Sequence, residues 1–264
     1  IVNPSQDIVL GCYWMTKIID GEKGEGKIFP SPNSAITAHD FGEVGFRAKI
    51  KVMGTDSPRY ATFEGKPFET SVGRLLFNGV LPRDFAYINK EIKKKDLSSI
   101  VNDLIGKYGI KNTPPILDKI KAFGFKYATH SGITWSMTDI KVPVEKKELV
   151  KNGREEVARI TAQYNDGLLS EEERFRKVIE VWQEVRNEIE KVMPGTLEKN
   201  GPVNDMITSG ARGSISQVVQ MSGMKGLIVN TAGETIDFPI IPSNKEGLSP
   251  LEYFVTTHGS RKGL

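Results

Sequence analysis

The stretch Phe175-Arg176-Lys177-Val178-Ile179-Glu180-Val181-Trp182-Gln183-Glu184-Val185-Arg186-Asn187-Glu188-Ile189-Glu190-Lys191-Val192-Met193 decides the fold of the chain's most regular region. Phe175, Trp182 and Ile189 fall seven residues apart, and Val178, Val185 and Val192 interleave at a/d spacing. That pattern draws one continuous apolar seam along a single helix. Upstream, Val150, Val157, Ile160 and Tyr164 give a weaker seam. Asn165-Asp166-Gly167 separates the two, because asparagine and glycine tolerate the left-handed geometry that ends a helix. Ser170 and Glu173 have capping-box spacing and restart it, and Met193-Pro194-Gly195 is expected to stop the second helix. Helices joined by so short a turn are antiparallel neighbours, so Val144 to Met193 is predicted as a helical hairpin. From Glu145 to Lys199 there are 11 basic and 13 acidic residues in 55, which implies a hairpin solvated over most of its outer surface. Two readings stay open: a stable surface arm, or a projecting handle on which another protein docks.

Before the hairpin the chain mixes short apolar stretches with glycine and proline. Ile8 to Met15 is a buried-type run, and Phe46 to Val52 alternates with period two, as a half-exposed strand does. Gly21-Glu22-Lys23-Gly24-Glu25-Gly26 reads as a turn. Thr70 to Phe77 reads as a short helix or strand ending before Asn78-Gly79. Helices are expected from Lys90 to Tyr108 and from Pro114 to Phe123, the Pro114-Pro115 pair suiting a first turn that has no use for the missing donor. After the hairpin, small residues cluster at Ser209-Gly210-Ala211-Arg212-Gly213-Ser214 and at Gly223 and Gly226. Thr235 to Pro242 is strand-like but bounded by proline, and Leu251 to Leu264 opens a new helix behind Ser249-Pro250. The expected class is α+β: a small irregular sheet with helices, plus a protruding antiparallel helical hairpin.

With 264 residues the chain can bury a real core, and 38% hydrophobic against 26% charged residues at a net charge of +3 excludes a disordered chain. No apolar run is long enough to span a membrane. Cys12 is the one cysteine, which excludes a disulfide framework and fits a reducing, cytoplasmic compartment. The chain starts Ile1-Val2-Asn3-Pro4 and stops at Arg261-Lys262-Gly263-Leu264, and is expected to be a piece of something larger or a mature form left by processing.

His39, His130 and His258 lack metal-ligand spacing, no phosphate loop ends in Gly-Lys-Ser/Thr, and no Asp-x-Asp occurs. By itself the chain is expected to catalyse nothing and to bind no metal. The positive candidate is Arg212, whose planar fork of donors matches phosphate oxygens and whose flanking glycines permit close approach. The same Gly-Ala-Arg-Gly could equally be a helix start packed on a neighbour. A second basic cluster, His258-Gly259-Ser260-Arg261-Lys262, could face phosphates or be a solvated turn.

The block from Ser209 to Ser214, then Gln220-Met221-Ser222-Gly223-Met224-Lys225-Gly226-Leu227, then Glu246 through Leu264 closely resemble the beta-prime subunit of bacterial RNA polymerase. Pro4-Ser5-Gln6-Asp7-Ile8-Val9-Leu10-Gly11 and Thr70-Ser71-Val72-Gly73-Arg74 resemble earlier blocks of that family, so the likeness covers essentially the whole chain. It implies a pore region at 1–132, a funnel at 133–235 carrying a coiled-coil hairpin at 144–193, and a connection at 236–264 into the truncated start of the bridge helix. It implies part of a nucleotidyltransferase, with Mg²⁺ held by ligands outside this chain. The implied partners are the beta, alpha, omega and sigma subunits, DNA template, RNA, NTPs and factors that bind the secondary channel. Carried over by position, Arg212 would contact the incoming triphosphate. Gln6, Asp7 and Gln220 would lie near the active centre, and His258, Arg261 and Lys262 at the bridge-helix hinge. Tyr164, Asn165, Asp166, Gly167, Leu168, Leu169, Glu171, Glu172 and Arg174 would form the factor-docking tip. Val219 stands where some relatives carry arginine, and Ser260 where alanine is common. The competing class is a non-enzymatic interaction module built around the hairpin alone.

Overall fold

The first helix, α1 (Asp7–Thr16), meets α5 (Pro114–Ser131) backbone to backbone, because each places a glycine at the crossing. A Cβ on Gly11 would lie 1.9 Å from the Gly124 carbonyl oxygen, and one on Gly124 would lie 2.6 Å from that of Ile8. The computed structural model describes residues 3–230 and 232–260, with the backbone alone for 258–260. Two compact units divide it: Ile1–Thr134 with Asn204–Arg212, and Trp135–Val203 with Gly213–Leu264.

In the first unit, α3 (Val72–Val80) and α4 (Lys94–Asn112) join α1 and α5 around a core of Val9, Cys12, Met15, Phe77, Leu97, Leu104, Ile120 and Phe123. Fully burying such side chains is worth about 1.5–3 kcal/mol each. A second cluster lies under a small mixed sheet of β1 (Ile28–Phe29), β2 (Ile50–Met53) and β3 (Pro67–Thr70). β1 pairs with β2 in parallel, Ile28 opposite Lys51, while β2 pairs with β3 antiparallel, Ile50 opposite Thr70. Ile50 and Val52 point into the cluster with Phe68, and Lys49 reaches across to Glu69 outside. α2 (Pro32–Asp40) packs on this sheet behind a Ser31–Ser34 capping box.

Several boundaries differ from the sequence reading. The alternation from Phe46 gives a paired strand only from Ile50, since the earlier carbonyls bond elsewhere: Phe46 O to the Gly73 N–H and Arg47 O to the Ile19 N–H. α3 runs straight through Asn78-Gly79, because Asn78 is a buried bracket rather than a turn residue. Its amide donates to the carbonyls of Arg74 and Ile88, and its Oδ1 accepts from the Ile88 N–H.

The second unit is built on α6 (Lys146–Asn165) and α7 (Glu171–Thr196). Val150, Gly153 and Ile160 are buried on α6, and Val178, Trp182, Val185, Ile189 and Met193 on α7. Gly153 lets the helices close, since a Cβ there would meet Val185 at 2.8 Å and Trp182 at 3.4 Å. Met193 takes the buried place expected of Val192, as a helix of 3.6 residues per turn drifts away from a seven-residue repeat. Pro194 does not end α7. Proline's fixed φ is itself helical, only one hydrogen bond of the last turn is forfeited, and the Thr196 hydroxyl satisfies the Met193 carbonyl at 2.8 Å. The short α9 (Ile215–Val218) continues as a π turn, Val219–Gly223, whose Gly223 sits against Ile189 and Met193. The strand-like 235–242 segment pairs back on 226–229 through isolated bridges, Gly226 with Ile240 and Val229 with Thr235. α10 (Pro250–Ser260) starts behind a Ser249–Glu252 reciprocal cap.

Candidate functional site

α8 (Pro202–Ser209) carries the first unit's candidate, Arg212, just past its C-terminus. The segment closes α8 and leads directly into the next helix. The Gly210 N–H bonds to Ile207 O at 3.0 Å, the Ser209 hydroxyl accepts from the Ala211 N–H at 3.2 Å, and Gly210 takes φ +73°. Gly213 takes φ +85°, and Ser214 then opens α9 with Gln217 in a capping box. Only glycine adopts these left-handed values without strain, so the turn demands both. Arg212 is left exposed at its apex, and among the described residues no carboxylate engages its guanidinium.

What holds that turn was not legible from the sequence. Asp205, on α8, pairs with Lys17, the residue that ends α1, at 2.6 Å with both side chains nearly fully buried. The end of α1 is fixed in turn by Arg74, whose Nε donates to Thr16 O at 2.8 Å while Nη1 reaches Asn89. The Thr16 hydroxyl donates to Cys12 O and accepts from the Ile92 N–H. Arg74 lies in a block quoted above for its family likeness, but no local pattern gives Lys17 its partner 188 residues away. Burial pushes the Cys12 thiol up to about 12, so it is inert rather than nucleophilic. Burial, then Glu91 and Asp205, also push the Tyr13 phenol up.

Gln6 and Asp7 open α1 and are exposed. Gln6 holds φ +49° without capping the helix through its side chain, an uncommon geometry for a residue with a Cβ. Gln220 lies on the π turn and is exposed, while Val219 beside it is fully buried. His258 falls on α10, and Arg261 and Lys262 lie outside the described residues.

The hairpin tip does come together. Arg174 Nε and Nη2 grip the Glu171 carboxylate at 3.1 and 2.5 Å, and its guanidinium lies 5.6 Å over the Tyr164 ring. The same Nη2 reaches Asp237 Oδ2 at 3.4 Å. Arg174 holds the Glu171 carboxyl below its ordinary range. Gly167 at φ +73° turns the chain, and Ser170 and Glu173 cap α7 reciprocally at 2.9 and 3.2 Å. Asn165, Asp166, Leu168 and Glu172 are exposed, and Leu169 is half-buried.

Among the described residues no three His, Cys, Asp or Glu side chains gather where they could hold an ion, so the donors present do not fit a magnesium site. Among them, too, no helix is long and apolar enough to cross a membrane.

Residues 1–140 match the family model of RNA polymerase Rpb1, domain 3, and residues 150–246 that of RNA polymerase Rpb1, domain 4. The DNA-directed RNA polymerase subunit beta' of Desulforamulus reducens is 43% identical over 264 residues, spanning 100% of this chain. That of Pelotomaculum thermopropionicum is 44% identical over 261 residues, 99% of this chain, and that of Acidothermus cellulolyticus 42% over 277, 100% of it. The chain spans only 22%, 22% and 21% of the lengths of these relatives. Matched in sequence order to two consecutive domains over most of its length, the chain belongs to the RNA polymerase Rpb1 family.

Proposed function

We propose that the chain is the secondary-channel portion of a bacterial DNA-directed RNA polymerase beta-prime subunit, working in the cytoplasm with the beta, alpha, omega and sigma subunits on DNA and RNA. In this reading 1–132 form the pore, 133–235 the funnel with its coiled-coil hairpin, and 236–264 the entry to the bridge helix. The parent transfers nucleotidyl groups from NTPs to RNA, and Mg²⁺, held by residues outside this chain, supplies the metal-ion chemistry. This chain's share is to admit the NTP, to bind its triphosphate through Arg212, and to offer the hairpin tip to channel-binding factors.

The observation that carries the reading is the exposed guanidinium of Arg212, without an acidic partner among the described residues and presented between two left-handed glycines. A fork of donors that no described acid satisfies suits an anion with several oxygens. The buried Lys17–Asp205 pair ties α8 down, so the turn would not need ordering when a substrate arrives. The test is the assembled polymerase carrying Arg212→Ala. A hydrogen bond to a charged group is worth roughly 1.5–3 kcal/mol, so kcat/KM for NTP incorporation should fall about 10- to 100-fold. An unchanged value sinks the triphosphate role. Charge reversal at Glu172 should weaken factor binding and leave basal elongation alone.

A further inference from the structure

We propose a small-molecule site at the base of the hairpin, within the second unit: a cavity between the start of α6 and the segment leading into α10 that binds an aliphatic carboxylate. It depends neither on Arg212 nor on the hairpin tip. The cavity measures about 470 Å³, within the roughly 300–1,000 Å³ usual for small-ligand sites. Its apolar walls are aliphatic throughout. Val142, Val144 and Val150 come from α6 and the turn before it, and Ile241 and Pro242 from the segment before α10. No aromatic side chain lines it, so it buries hydrocarbon without offering a stacking surface for a nucleobase.

The polar groups that line it favour one sign of charge. Lys146 is the buried one: its side chain is 6% exposed, and its Nζ donates to Glu246 Oε2. That oxygen also accepts from the Ser243 N–H at 2.8 Å and the Ser243 hydroxyl at 2.7 Å. An ammonium carries three donors, and among the described residues Glu246 alone engages this one, which leaves two N–H groups of a buried cation for a ligand. Lys147 and Arg154 lie with Val150 on one face of α6, at the spacing i, i+3, i+7. Both are exposed, and neither has an ion-pair partner among the described residues. Glu246 is the one acid among the lining residues and Lys146 neutralises it, so Lys147 and Arg154 set the net charge of the cavity. A carboxylate matches the Arg154 fork and the spare Lys146 donors. The Glu246 carboxylate disfavours a second negative charge nearby, which selects a monoanion over a phosphate dianion.

The experiment photolabels the assembled polymerase with an octanoate analogue that carries a diazirine in its chain, and maps the labelled peptides by mass spectrometry. Label should fall on 142–150 and 241–242, and excess octanoate should displace it. Octanol and octylamine should each need at least about 10-fold more than octanoate to compete, and octyl phosphate should compete less well than octanoate. Lys147→Gln with Arg154→Gln should raise the octanoate needed for half-displacement about 10-fold or more. Val144→Asp, at a side chain 87% exposed and so harmless to the core, should abolish labelling at these peptides. Label found only elsewhere, or not displaced by octanoate, overturns the site. Octanol competing as well as octanoate overturns the charge argument, and octyl phosphate competing better overturns the choice of a carboxylate. These comparisons among competitors use the parent protein, so they decide the matter whatever the variants do to folding.

Discussion

Adding one methyl group at Gly11 tests the packing logic of the first unit. The new Cβ would stand 1.9 Å from the Gly124 carbonyl oxygen and 2.8 Å from the Ala128 nitrogen. Ordinary contact requires it to retreat by about 1.5 Å, and the obstacle is backbone, so α1 and α5 must part along their whole crossing. Alanine gains about 1 kcal/mol of helix propensity over glycine. Overpacking costs about 1–3 kcal/mol and more when the obstacle cannot turn aside. The net expectation for Gly11→Ala is a loss of about 3 kcal/mol, roughly a 100-fold rise in the unfolded fraction. Urea unfolding of the chain, followed by fluorescence of Trp14 on α1, measures it. Gly106→Ala is the control: it lies within α4 with nothing within 4 Å of the added carbon, and should gain about 0.5–1 kcal/mol. A Gly11→Ala chain as stable as the parent would refute the backbone crossing.

Lys17→Met should cost about 3–5 kcal/mol by stranding the buried Asp205 charge, and adding Asp205→Leu should recover most of it; equal urea midpoints for single and double variants would argue against the buried pair. Burial tends to push the Glu246 carboxyl up, but Lys146 and Ser243 bind it and hold it below its ordinary 4.5. A carboxyl depressed in the folded state stabilises above its unfolded value and loses that contribution as pH falls through the folded one. Glu246→Gln should therefore lower stability at pH 7 and leave a shallower loss on acidification, read from urea titrations at several pH values. With its thiol pushed up to about 12, Cys12 should react with a disulfide reagent at pH 8 at least about 100-fold faster in unfolding concentrations of urea than in the native state.

The helical hairpin was legible because its seam repeats over many turns and its caps are local: Ser170, Glu173 and Gly167 do what their chemistry requires. The close approach read at Gly223 is met against Ile189 and Met193, whereas Gly210 and Gly213 take left-handed φ, a demand of the turn that the sequence reading did not specify. Asn78-Gly79 and Pro194 misled because turn chemistry is a preference that tertiary bonds override: Ile88 claims Asn78 from ten residues away. The supports of the candidate site, Lys17 with Asp205 and Arg74 with Thr16, join residues far apart in sequence, and no spacing rule links them. The likeness of Ser209–Ser214 to the polymerase family singled out Arg212, and in the structure its side chain is exposed between Gly210 and Gly213 with no carboxylate on it among the described residues.

The most direct measurement is the structure of the assembled polymerase with a non-hydrolysable NTP bound. Arg212 nitrogens should lie within about 2.7–3.2 Å of phosphate oxygens, with Gly210 and Gly213 still left-handed. An Arg212 side chain folded against protein, or a triphosphate held wholly by other residues, would contradict it.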